Sequence, residues 1–133
     1  MNRTAMLAAL ASAALLGSVS TPARAGEVIA HPSVVLSADE VRELFMGDKQ
    51  LVGNLKLVPV DNGAQQGEFL VKVLQLDPIR YAARWTKKAF REGLNAPLAK
   101  GSDAEVAAFV RATPGAVGYV SAPMTGVQTL QKY

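Results

Sequence analysis

Apolar and polar positions along this chain alternate between short strand-like runs and longer repeats at helical spacing. Val28-Ile29-Ala30 is a brief apolar run closed by His31-Pro32, which predicts a strand and its exit turn. Ser37-Ala38-Asp39-Glu40 has the form of a capping box, in which Ser37 caps the helix and Glu40 reaches back to it. The helix so opened places Val41, Leu44 and Phe45 on one face and meets Gly47 at its end. Residues 55–60 predict a second strand, Asp61-Asn62-Gly63 a turn, and Phe69, Leu70, Val73 and Leu74 then recur at helical spacing. Asp77-Pro78 supplies an N-cap and a first-turn proline for a helix running to about Glu92, with Ile79, Ala82, Ala83, Ala89 and Phe90 expected to face inward. After a loop over 93–101, Ser102-Asp103-Ala104-Glu105 forms a second capping box. Its helix turns Val106, Phe109 and Val110 inward and stops at Pro114-Gly115. Strands over 116–120 and 127–130 complete the chain. This alternation, with no internal repeat and no low-complexity linker, predicts one layered α/β sheet domain.

The first 25 residues follow another pattern. Arg3 provides a positive start, Ala5 to Leu16 an apolar core, and Ala23-Arg24-Ala25 a small-residue cleavage site, the three zones of a secretory signal peptide. The apolar core is shorter than the roughly 20 residues that a membrane-spanning helix needs. The expectation is therefore an exported, periplasmic protein cut near Ala25, with residues 26–133 as its working domain and no transmembrane segment in the mature chain. Charge looks different after that cut. Two of the 14 basic residues, Arg3 and Arg24, leave and all 11 acidic ones stay, so the formal charge falls from +3 to +1. No basic excess remains of the kind that nucleic-acid binding requires.

Composition narrows the chemistry further. The chain has no cysteine, which excludes disulfides, thiolate metal sites and cysteine nucleophiles. His31 is the single histidine and sits beside Pro32, where a turn role is expected; it leaves no histidine pair for a metal or a catalytic relay. No nucleophile motif or phosphate-binding P-loop is present. The expectation is a non-enzymatic protein with no cofactor and no metal.

LSADEVRELFMG (36–47), LVPVD (57–61), the helix carrying Phe69 and Val73-Leu74, Trp85 with Phe90, and GSDAEVAAFVRATPGAVGYVSA (101–122) come in a recognisable order. In that order the chain resembles one lobe of the phosphate-type periplasmic substrate-binding proteins of ABC transporters, and more closely their short single-lobe relatives. The resemblance implies a single type II periplasmic-binding-protein-like lobe, a mixed sheet flanked by helices, with ligand held where loops meet helix N-termini. Free N–H groups and the helix dipole favour an anion there. In that family the helix after the second strand opens with a Ser-Gly-Thr-like signature; counted back from Phe69, its positions fall on Gly63, Ala64 and Gln65, none of which carries a hydroxyl. Asp61 stands near the place of an arginine common in the family. The resemblance thus implies a small anion such as phosphate, bound weakly, with Asn62, Gly63, Ala64, Gln65, Gln66 and Ser102 as the candidate ligand residues. The alternative is an accessory or sensory protein–protein interaction module that has lost strong phosphate binding. A lone lobe offers a ligand one wall, so a protein partner or self-pairing would have to supply the second.

Each candidate also has a plainer role. The loop 61–66 is either a ligand-facing nest or an ordinary Asn-Gly turn, and Ser102 either a ligand donor or a helix cap. Trp85, Phe90 and Tyr119 are expected in the core. Arg80, Arg84, Lys87 and Arg91, with Lys88 beside them, recur on one helical stripe. That stripe is either a solvated face or a docking surface for an acidic partner or anionic lipid head groups.

Overall fold

The computed structural model describes residues 26–133. The segment read as an export signal lies outside them. Strand β1 (Glu27–Ala30) leads to α1 (Ala38–Phe45), and a small hairpin of β2 (Leu51–Val52) and β3 (Leu55–Lys56) follows. Next come β4 (Val58–Asn62) and α2 (Gln66–Phe69), which continues as a π-helical turn over Leu70–Leu74. The remainder is α3 (Pro78–Glu92), β5 (Leu98–Lys100), α4 (Asp103–Ala112), β6 (Ala116–Val120) and β7 (Gln128–Lys132). The main sheet has the order β5-β4-β6-β1-β7. Within it β4 is parallel to β5 and β6, whereas β1 is antiparallel to β6 and β7. The α/β expectation is met: a mixed sheet flanked by helices.

Strand periodicity divides the core. On one face Val28, Ala30, Val117 and Tyr119 pack with α1, the α2 segment and Tyr81 and Trp85 of α3; on the other Ile29, Val60, Ala116 and Val120 pack against Val106, Ala107 and Val110 of α4. Gly118 lets α4 sit close to the sheet, since a Cβ there would stand 2.6 Å from a Val106 methyl.

The caps of α1 and α3 form as the sequence predicts; at α4 Ser102 caps the helix, but Glu105 returns to the Gly101 N–H rather than to that of Ser102, so the second capping box does not close. Ser37 Oγ accepts the Glu40 N–H at 3.2 Å and Glu40 Oε1 accepts the Ser37 N–H at 3.1 Å. Asp77 caps α3 by accepting the Arg80 N–H at 2.8 Å.

Three expectations need correction. The strand expected over 55–60 is split between β3 and β4, and β4 runs on through Asp61 and Asn62, both buried, so the turn begins only at Gly63. The loop expected over 93–101 contains the edge strand β5. The third concerns α3, which is rotated from the predicted orientation. Phe90 and Ile79 are 91% and 82% exposed, and Ala82, Ala83 and Ala89 are exposed as well. The inward face is Tyr81 and Trp85, with Arg84 and Lys88 half-buried beside them. This face wins because its polar tips find partners: Trp85 Nε1 donates to the Phe45 carbonyl at 2.9 Å, and the Tyr81 hydroxyl donates to Asp61.

Candidate functional site

Because β4, β5 and β6 run the same way, their C-terminal ends share one edge of the sheet. That edge gathers the loop 62–66, the start of α4 and Ser121 into a crest. Asn62 sits at its centre, fully buried. Its amide nitrogen donates to Asp103 Oδ1 at 2.8 Å and to the Tyr119 carbonyl at 3.0 Å, and its oxygen accepts the Ala64 N–H at 3.0 Å. The next backbone donors are engaged too: the Gly63 N–H donates to the Lys100 carbonyl at 2.8 Å and the Gln65 N–H to the Asn62 carbonyl at 3.0 Å. Gln66 opens α2, whose first-turn N–H groups have no acceptor inside the helix. Ser102 is the N-cap of α4, its hydroxyl accepting the Glu105 N–H at 3.3 Å, while Glu105 Oε2 accepts the Gly101 N–H at 2.8 Å.

Asp103 is the residue that sequence reasoning missed. As a local feature it belongs to the cap of α4, and its long-range partners are visible only in the fold. One carboxylate oxygen accepts Asn62 Nδ2; the other accepts the Ser121 N–H at 3.1 Å and the Ser121 hydroxyl. Three donors thus converge on an anion at a helix N-terminus, and the anion is the protein's own side chain.

Tyr133 is a second missed residue. Its N–H donates to the Gly26 carbonyl at 2.8 Å, at the end of the sheet where β1 starts beside Val120, and its hydroxyl pKa is pushed up by burial first and then by the Glu68 and Asp103 carboxylates. Among the described residues, the buried Tyr133 hydroxyl and Gln65 Oε1 have no hydrogen-bond partner.

Asp61 lies beneath the crest, not on it. The Tyr81 hydroxyl donates to both of its oxygens, at 3.0 and 2.9 Å, and the Tyr119 hydroxyl donates at 2.8 Å. Burial pushes the Asp61 carboxyl up to about 6, against the opposing effect of the two phenols. The folded state therefore holds a proton that the unfolded chain, titrating near 3.8, has already released. Stability from this group is fullest below about pH 3.8, falls as pH rises to about 6, and is then level. Asp61→Asn removes that titration. Between pH 4 and pH 7.5 its stability relative to the wild type is expected to rise by about 2 kcal/mol, measured by urea unfolding of both proteins at the two pH values. Parallel pH profiles would contradict this account of Asp61.

The basic stripe is not one surface. Arg84 Nε donates to the Met46 carbonyl at 2.7 Å and its guanidinium grips Asp48 at 2.8 Å, while Lys88 pairs with Asp48 and Glu92, each at 3.0 Å. These two side chains fasten α3 to the turn after α1. Arg80, Lys87 and Arg91 remain exposed.

No family model and no curated protein sequence matches the chain. Among solved structures it is similar to an ABC-type phosphate transport receptor from Vibrio cholerae, with a TM-score of 0.52 and 15% identity over 80% of this chain and 45% of that one. The mixed sheet flanked by helices resembles part of that receptor's fold. At this identity the likeness speaks for the fold alone, and the chain spans less than half of the receptor it matches. Among the described residues no helix is long and apolar enough to cross a membrane.

Proposed function

We propose that this chain is an exported, non-catalytic binding module of the substrate-binding-protein kind, which takes a small oxyanion such as phosphate only weakly. The observation that carries this reading is the convergence of the Asn62 amide and the Ser121 N–H and hydroxyl on the Asp103 carboxylate. The arrangement suits an oxyanion, yet an incoming phosphate would have to displace a tethered anion or bind beside it. Glu68, in the first turn of α2, adds a further carboxylate near the crest. The remaining donors, the first N–H groups of α2, support only a shallow site that shields little of its ligand from water. Calorimetric titration of the purified protein with phosphate is expected to give a dissociation constant in the millimolar range. Micromolar affinity would contradict the self-filled crest, and no heat at tens of millimolar would sink ligand binding altogether. A second reading, an accessory or sensory interaction module on the same fold, is favoured by the apolar face that α3 leaves exposed.

A further inference from the structure

Helix α3 presents two stripes to solvent. Ile79, Ala82, Ala83, Thr86 and Phe90 recur at spacings of three and four, and all are exposed. Arg80, Lys87 and Arg91 form the second stripe along the flank of the first. Of these, Arg80 makes only a 3.5 Å pair with the exposed Asp77. Beside the apolar stripe lies a groove of about 530 Å³, in which Pro78, Ala82, Thr86 and Ala89 face Gln66 and Ala96. Phe90 stands nearly free of the fold, at 91% exposure. It is the contiguous stripe from Ile79 to Phe90, on a helix whose other face is well packed, that marks an interaction surface.

Shape and charge together select the occupant. Small residues along the groove let another backbone approach closely, which suits the ridge of a helix. The three cations lie on one flank only and span about 16 Å, the rise of 11 residues. An interfacial membrane helix would carry cations to either side of its apolar face, and a flat lipid surface would leave the groove unfilled. Pairing two copies of α3 antiparallel about a two-fold axis would bring the basic flanks together, an arrangement opposed by like charge.

We propose that the exposed face of α3 docks an amphipathic helix of a partner protein, one with an apolar ridge and acidic residues along one flank. Phe90 and Ile79 are its apolar anchors, and Arg80, Lys87 and Arg91 read its charge. This stands whether or not an anion binds at the crest.

The test uses the purified protein and two fluorescent synthetic amphipathic helices that share a leucine ridge, one with glutamates and one with lysines on the flank. Anisotropy titration is expected to show binding of the glutamate peptide, at least about tenfold tighter than the lysine peptide and weakened by added salt. Ile79→Ser with Phe90→Ser should weaken it by at least about tenfold. Reversal of Arg80, Lys87 and Arg91 to Glu should abolish it and transfer binding to the lysine peptide. All five positions are exposed, so both variants should keep the wild-type unfolding midpoint. Equal affinity for the two peptides, or no binding of the glutamate peptide, would overturn the proposal. So would anionic phosphatidylglycerol vesicles competing the peptide away, or a dimer in sedimentation that the Ile79/Phe90 variant dissolves.

Discussion

Adding one methyl group at Gly115 is expected to lower the free energy of unfolding by about 3 kcal/mol or more. Gly115 has φ +84, a region that side chains other than hydrogen enter at a cost. The added Cβ would also overlap the Lys56 carbonyl oxygen, a backbone atom that no rotamer change can move aside. Nor is there room to shift the two segments apart. The Gly115 carbonyl accepts the Val58 N–H at 2.9 Å where β4 and β6 begin to pair, and the adjacent Leu57 N–H is tied to the Gln50 carbonyl at 2.9 Å. Relief of the clash breaks the start of the parallel β4–β6 ladder, and Asn62 lies at the other end of β4. Urea unfolding of Gly115→Ala should show a midpoint far below the wild type, or no folded baseline at 25 °C; a midpoint within the error of the wild type would contradict the geometry.

Phe69→Ala should cost a comparable 3–5 kcal/mol. The ring is fully buried and lies stacked on Tyr119 at 3.8 Å between centroids, with Phe45 edge-on at 4.9 Å and Tyr133 at 5.7 Å. Its removal leaves a cavity and also frees Tyr119, whose hydroxyl holds Asp61. Phe69→Leu keeps most of the volume and should cost well under half as much. A loss below about 1 kcal/mol for the alanine variant, in the same denaturation experiment, would show that this aromatic cluster is not the centre of the fold.

Much of the fold was legible because its signals are local. Ser37 with Glu40, Asp77 with Pro78, and Ser102 each cap the helix that their spacing predicts. The unbroken apolar run Ala116–Val120 likewise reports a strand buried on both faces. What stayed hidden depends on distant partners. Asp61 and Asn62 look like turn residues until Tyr81, Tyr119 and Asp103 supply their hydrogen bonds. Strand β5 has three residues and no pattern of its own; it exists because β4 offers an edge. The orientation of α3 was misread because two stripes compete, and the one with aromatic rings and polar tips fits the core better than the one with Ile79 and Phe90.

The candidate site divides in the same way. The loop over 62–66 and Ser102 are candidates through the resemblance, with a turn and a helix cap as their plainer roles, and the sheet order places them at one end of the sheet. Asp103 stays hidden as a site residue, because the helix dipole already accounts for an acidic residue in the first turn of α4. Only the topology shows that Asn62, 41 residues away, and Ser121, 18 residues away, both turn toward it.

The crest supplies its own anion in Asp103, and Asp103→Ala tests this most directly. The substitution frees three donors and removes a negative charge, at a cost of about 2–4 kcal/mol from the bonds lost at Asn62 and Ser121 and from the first turn of α4. In calorimetric titration with phosphate, the variant should bind at least about tenfold more tightly than the wild type, a gain of about 1.4 kcal/mol. Affinity equal to or weaker than the wild type, in a variant shown to be folded, would contradict it.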